Sequence, residues 1–286
     1  MVQIHSLAQY RKALRKARRY KASVRRARVG AVRHEARSAE VERYCFFVGF
    51  PRSGTSLVGQ LLNAHRHIVI SHESDALRFV DTRGATRNEV FGMILENDRA
   101  FVRRGAEGGG YDFVVPGQWQ GKSEHIRVIG DKKAGASATR IGRNPALLDQ
   151  MRNVVGVPIR IVSLVRNPFD NISTLASRSS ITLEEAADTY FRLAADNMTT
   201  GSLTRDGELH RVRFEHLVAD TKAELARLCA FLDVDAPTDY IDACASIVFD
   251  SPRRTRTSAP WTPALIADVE RRIAEVDFLA GYAYDA

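Results

Sequence analysis

The sequence predicts a single α/β domain, a central parallel β-sheet flanked by helices, with a basic helical arm in front of it. Three observations lead there. From about residue 43 onward, short apolar runs of strand length alternate with helix-like stretches. That alternation is the mark of crossover units, which put helices on both faces of a parallel sheet. The 286 residues are 44% hydrophobic and 27% charged, enough to build one sizeable core and unlike a collagenous or wholly disordered chain. The charge is also unevenly divided. Residues 1–40 carry 12 Lys/Arg against Glu35 and Glu40, a balance of +10, which leaves the rest of the chain at −2 of the total +8.

Within the arm, Leu7, Tyr10, Leu14, Ala17 and Val24 recur at helical spacing, predicting a helix with a thin apolar stripe. The arm lacks the apolar region of a secretory signal, so export by that route is not expected. Three readings of 1–40 stay open: an extension packed on the body or on a second subunit of a homo-oligomer, a helix lying on an anionic membrane surface, or a nucleic-acid contact. Nucleic acid is not the expected partner. No apolar run approaches the roughly 20 residues of a membrane span. Cys45, Cys229 and Cys244 are too scattered for a disulfide framework or a zinc site. A cytoplasmic protein is therefore expected, held if at all at the inner face of the membrane.

The body, 41–286, begins with the apolar run Tyr44–Gly49, a buried strand. Further strands are expected at His67–Ile70, Ile126–Ile129, Pro158–Val165 (PIRIVSLV) and Val212–Phe214. Helices are expected at Asn88–Arg104, Ala138–Met151, Asp170–Arg178, Leu183–Met198 and Thr221–Leu232, with a loop at Gly105–Tyr111 and no internal repeat. The first strand runs into Phe50-Pro-Arg-Ser-Gly-Thr-Ser56, followed by a helix carrying Leu57, Leu61 and Leu62. A strand, a glycine-containing loop and a helix N-terminus form a phosphate cradle, because unpaired N–H groups and the helix dipole converge on the anion. The frame G-x-x-x-x-G spans Gly49 to Gly54, making the domain P-loop-like. Thr55 stands where a nucleoside triphosphatase has lysine, and the cation lies inside the loop as Arg52.

GFPRSGTSLV resembles the 5′-phosphosulfate loop of the sulfotransferases, which use 3′-phosphoadenosine 5′-phosphosulfate (PAPS). A second stretch, Val162-Ser-Leu-Val-Arg166-Asn-Pro-Phe-Asp-Asn-Ile-Ser-Thr174, resembles the strand plus R-x7-S by which that family holds the 3′-phosphate. Thr174 takes the place of the usual serine, and Ser173 is its neighbouring substitute. Arg213–Asp220 and Phe231-Leu-Asp resemble a structural segment of the family. Arg254, seven residues before Trp261, resembles part of a basic loop over the nucleotide. The resemblance spans roughly 43–282. It implies that Arg52, Ser53, Gly54, Thr55 and Ser56 hold the 5′-phosphosulfate, and that Arg166, Thr174 and Arg254 hold the 3′-phosphate.

Cytosolic members have a catalytic histidine where this chain has Ala134. PRSGTSLVGQLLNAHRHIVISHES is instead similar to the tyrosylprotein and Golgi-type branch, with Glu73, 21 residues after Arg52, at the place of that branch's catalytic glutamate. Glu73 is accordingly the expected general base and His72 its rival. Lys132, with Lys133 as the alternative, is expected to neutralise charge on the transferred group, with Arg52 assisting. No metal is expected, since these cations and the helix N-terminus supply the positive charge. The implied reaction moves a sulfuryl group from PAPS to an acceptor hydroxyl by in-line displacement and releases 3′-phosphoadenosine 5′-phosphate. The Glu-type pattern tilts the acceptor from small molecules toward a carbohydrate or glycolipid. Phe79, Phe91, Phe101, Tyr111, Phe113 and Trp119 either line the acceptor pocket or belong to the core. The rival readings are a P-loop small-molecule kinase and a non-catalytic nucleotide-binding or membrane-docking module.

Overall fold

The computed structural model describes residues 7–108 and 111–285, with side chains from Tyr20 onward except at 107, 108 and 111. Helix α1 (Leu7–Arg33) and the short α2 (Glu35–Ala39) lead into β1 (Arg43–Gly49), α3 (Thr55–Asn63) and β2 (Ile68–His72). Helices α4 (Ala76–Arg83) and α5 (Arg87–Val102) follow, then a two-residue hairpin, β3 (Glu107–Gly108) with β4 (Tyr111–Asp112). The chain returns through β5 (Val128–Lys132), α6 (Ala134–Arg143), α7 (Ala146–Val155), β6 (Ile159–Val165), α8 (Pro168–Ser179) and α9 (Leu183–Ser202). It closes with β7 (Leu209–Arg213), α10 (Phe214–Ala219), α11 (Thr221–Phe231), α12 (Thr238–Ala245) and α13 (Pro263–Ala274). Strands β2-β5-β1-β6-β7 form one sheet, parallel throughout.

Every expected strand is present, displaced by one to three residues. The strands alternate between two apolar faces. Cys45, Phe47, Val162 and Leu164 face α3 and α11, where Leu57, Leu61, Leu225 and Leu228 are buried. Tyr44, Phe46, Ile129 and Ile161 face the opposite layer, with Phe91, Ile94, Ile141 and Leu148. A third cluster joins α8, α9 and α13 around Phe169, Tyr190 and Ile273. The helix expected over Ala138–Met151 is two helices. Pro145 has no N–H and keeps Asn144 extended (φ −138°, ψ 83°), so α6 ends and α7 begins there.

Part of the arm lies on the body. Helix α1 crosses α5 where Gly30 meets Gly92; a Cβ on Gly30 would stand 2.3 Å from the Gly92 carbonyl oxygen, and one on Gly92 2.3 Å from the Ala31 nitrogen. Ala27 is buried beside this crossing. Arg26 donates to Asn97 at 2.8 Å, and Arg33 and His34 both meet Glu96 at 2.9 Å. Of the expected apolar stripe, Val24 packs against the core. The side chains of Leu7, Tyr10, Leu14 and Ala17 lie outside the described residues. Among the described residues no helix is long and apolar enough to cross a membrane.

Candidate active site

The chemistry-bearing residues gather at the C-terminal ends of β2, β5, β1 and β6, where parallel sheets of this kind bind ligands. After β1 the loop turns through Arg52 (φ 72°) and Gly54 (φ 94°) into α3. Glycine is required at 54 twice over: its φ is left-handed, and an added Cβ would stand 2.3 Å from the Phe214 ring. Ser53 is buried and donates its hydroxyl to the Phe50 carbonyl at 2.7 Å, which shapes the loop instead of capping the helix. Gly54 holds the N-cap position without a side-chain acceptor, leaving the first N–H groups of α3 to another partner. Arg52 stands exposed at the loop tip.

Glu73 and Lys132 meet beside this loop. Lys132, buried at the end of β5, donates to Ser56 Oγ at 2.9 Å and to Glu73 Oε1 at 2.7 Å, and Lys133 holds Glu73 Oε2. Burial pushes the Glu73 carboxyl up, but Lys132 and Lys133 outweigh it and bring it down to about 2. Burial lowers the Lys132 ammonium, while Glu73 opposes the shift. Glu73 (φ 62°) and Asp75 (φ 62°) are both left-handed, so the turn carries backbone strain of the sort found at functional sites. Asp131 holds that turn, accepting from the N–H groups of Ser74 and Ala76 at 2.9 Å each. Arg140 grips Asp75 with two hydrogen bonds, at 2.9 and 2.8 Å. The rival base His72 is differently placed. Its ring stacks on Phe101 at 4.5 Å, its Nδ1 is enclosed without a hydrogen-bond partner among the described residues, and burial, then Lys132, lowers its pKa to about 4.

Arg166 follows β6 directly and is buried. Its Nη2 donates to the Arg253 carbonyl and its Nη1 to the Arg52 carbonyl at 3.5 Å, so the second motif reaches the first. Asn167 caps α8 by accepting from Phe169 N–H at 3.0 Å. Arg166 and Thr174 line a cavity of 760 Å³ with Ser173, Arg253 and Thr255. The Thr174 hydroxyl donates to the Asp170 carbonyl at 2.8 Å and lies 3.0 Å from that of Thr255. Ser173 accepts from the Trp261 indole at 2.9 Å and donates to Phe169 at 2.7 Å, leaving Thr174 the more available hydroxyl. Glu73, Lys132 and the phosphate loop lie outside the lining of this cavity, and Arg166 is the link between the two sites.

The expected Arg254 lies in the same loop as two other arginines. It is exposed and does not line the cavity; Arg253 does. Arg256 is instead buried against Asp170, whose carboxylate accepts from its backbone N–H at 2.9 Å and its guanidinium at 2.8 Å. Three arginines at 253, 254 and 256 look alike in sequence, and only the buried carboxylate of Asp170 selects among them. Asp131 was equally overlooked, although a polar residue ending a buried apolar strand was its signal. Phe79, Phe91, Phe101 and Phe113 are core residues, while Trp119 is half-buried and the Tyr111 side chain lies outside the described residues. Among the described residues, no group of three or more His, Cys, Asp or Glu is placed to hold a metal.

Residues 158–238 match the model of the "Sulfotransferase family", a segment that contains Arg166 to Thr174 and Arg213 to Asp220 but not the phosphate loop, Glu73 or Lys132. No curated protein sequence matches the chain significantly. Among solved structures, the chain is similar to the sulfotransferase domain of the Synechococcus PCC 7002 olefin synthase, with 16% identity, 81% of this chain and 93% of that one covered, and a TM-score of 0.52. It is also similar to the sulfotransferase domain of the curacin biosynthetic pathway, with 14% identity, 83% and 98% covered, and a TM-score of 0.51. At such identities these likenesses speak for the fold, a sulfotransferase α/β domain around a five-stranded parallel sheet. The matched segment, less than half of the chain, and the shared fold both make this chain similar to the sulfotransferases.

Proposed function

We propose that the protein transfers a sulfuryl group from PAPS to an acceptor hydroxyl. One observation carries the reading. Two anion sites, the loop before α3 and Arg166 before α8, follow neighbouring strands and are joined through the Arg52 carbonyl, with Glu73 and Lys132 at the first of them. The donor set suits a nucleotide with phosphates at both 3′ and 5′ positions: helix N–H groups without a side-chain cap, hydroxyls and buried cations, with Glu73 the single carboxylate bonded to Lys132 among the described residues.

PAPS supplies a sulfuryl group attached to a phosphate leaving group. In this reading the N–H groups of Gly54, Thr55 and Ser56, with Arg52, bind the 5′-phosphosulfate, and Arg166 and Thr174 bind the 3′-phosphate. Arg253 and Thr255 line that side, and Arg254 stands beside them in the same loop. Glu73 accepts the acceptor's proton as the acceptor oxygen bonds to sulfur. The electron pair of the breaking S–O bond goes to the 5′-phosphate oxygen, and Lys132 and the loop N–H groups stabilise the charge that develops. A glycan or glycolipid acceptor remains the reading that the Glu-type pattern supports. An arm docked on an anionic membrane would bring the site to such acceptors; vesicles of anionic phospholipid should then bind the full chain and lose it when residues 1–19 are removed.

The test is calorimetry with 3′-phosphoadenosine 5′-phosphate in the absence of metal, with ATP and magnesium as comparison. Metal-free binding that is lost in Arg166→Ala is expected. Preference for ATP with magnesium, or indifference to the substitution, would overturn the reading.

A further inference from the structure

Lys132 is shared by two partners, and an anion entering the loop would draw on the same positive charge. Its ammonium group lies 2.9 Å from Ser56 Oγ, in the first turn of the phosphate-loop helix, and 2.7 Å from Glu73 Oε1. The aliphatic stem is enclosed, with only 3% of the side chain exposed, so the ammonium cannot swing far from this position. Glu73 is less confined: 42% of its side chain is exposed, and its second oxygen is already held by Lys133. An oxyanion bound at the N-terminus of α3 would meet Ser56 and therefore Lys132.

We propose that Glu73 and the phosphosulfate compete for Lys132, so that loading the nucleotide releases Glu73 from the lysine and only then frees it to act as base. The inference rests on the proposed function and adds to it an order of events within this site. Before loading, Glu73 is pinned between two lysines and is a poor proton acceptor. After loading, Lys132 turns its hydrogen bonds to the anion, and Lys133 alone remains on the carboxylate, with His72, Asp75 and Asp131 also close to the cluster. The arrangement keeps the base idle until the group to be transferred is in place. Asp131 and the Glu73 N–H, which donates to the Lys132 carbonyl at 3.1 Å, hold the two backbones together throughout.

The competition can be read from binding alone, without turnover. Affinity for 3′-phosphoadenosine 5′-phosphate is measured by calorimetry in wild type, Glu73→Gln, Lys132→Met and the double variant, with thermal melting to show that each is folded. Glu73→Gln should bind about tenfold more tightly than wild type, which is 1.4 kcal/mol. In the Lys132→Met background the same substitution should change affinity less than about twofold, since there is no lysine left to release. Unchanged or weaker binding by Glu73→Gln would overturn the proposal. So would tightening that persists without Lys132, which would mark a through-space charge effect. Absence of nucleotide binding by the wild type itself would instead remove the proposed function, and this inference with it.

Discussion

Replacing Arg256 with methionine should strip a buried carboxylate of its only ion-pair partner among the described residues. Asp170 and Arg256 are 5% and 4% exposed, and their contact combines a 2.8 Å guanidinium bond with a 2.9 Å backbone bond. Methionine keeps the backbone bond and the bulk of the stem but leaves the Asp170 charge facing an apolar side chain. Breaking a buried pair from one side costs ~3–5 kcal/mol, because the remaining ion cannot regain its hydration. For a chain of this size that corresponds to a fall in melting temperature of roughly 6–20 °C. The loss should also reach the proposed nucleotide site. Thr255, adjacent to Arg256, donates to the Asp170 carbonyl at 2.8 Å, and Arg253 provides the carbonyl that Arg166 holds. Thermal melting and calorimetry of the same variant should therefore both respond, and Asp170→Leu combined with Arg256→Met should recover part of the melting temperature by removing both charges. A single variant that melts within about 1 °C of wild type would refute the argument, since the pair would then contribute no more than an exposed one does.

Other outcomes follow from the same geometry. Gly92→Val should force α1 away from α5, because a Cβ there meets the Ala31 nitrogen at 2.3 Å; hydrogen exchange in residues 20–33 should speed up markedly, and unchanged protection would show the crossing to be loose. Asp98, buried and bonded by Asn63 at 2.7 Å, is pushed up to about 7, chiefly by burial. Its folded form binds the proton more tightly than the unfolded chain does, so its stabilising share is fully present below about pH 4 and is lost as pH rises through about 7. Urea melts should show the advantage of wild type over Asp98→Asn shrinking from pH 5 to pH 8; a constant difference would sink this. Trp261→Phe removes the indole donor from Ser173 and should cost ~1 kcal/mol in the same melts, the worth of a neutral hydrogen bond; no change would mean that water replaces it.

The sequence alone was enough for the strands, the two apolar faces of the sheet and the turns from β1 and β6 into the helices that follow them, because each is written in local terms. Tyr44 to Gly49 and Ile159 to Val165 are apolar runs of strand length, and a glycine or proline next to a strand end constrains the backbone wherever the rest of the chain goes. Glu73 and Lys132 were legible one at a time, chiefly through the resemblance to the sulfotransferases, at the ends of β2 and β5. That they share an ion pair was not, because the pairing depends on β2 and β5 being neighbours in the sheet, and sheet order is set by long-range packing. The same holds for the basic loop near the C-terminus. Its arginines differ little in local surroundings, and Arg256 becomes the buried one only because α8 brings Asp170 against it across 86 residues of chain. The arm shows the limit from the other side. Its charge pattern reads as a solvated helix, yet Gly30 can be understood only together with Gly92, since a close helix crossing is a property of two surfaces. Local composition and spacing determined which elements form; the tertiary structure decided which charges are desolvated together, and electrostatic chemistry depends on that proximity.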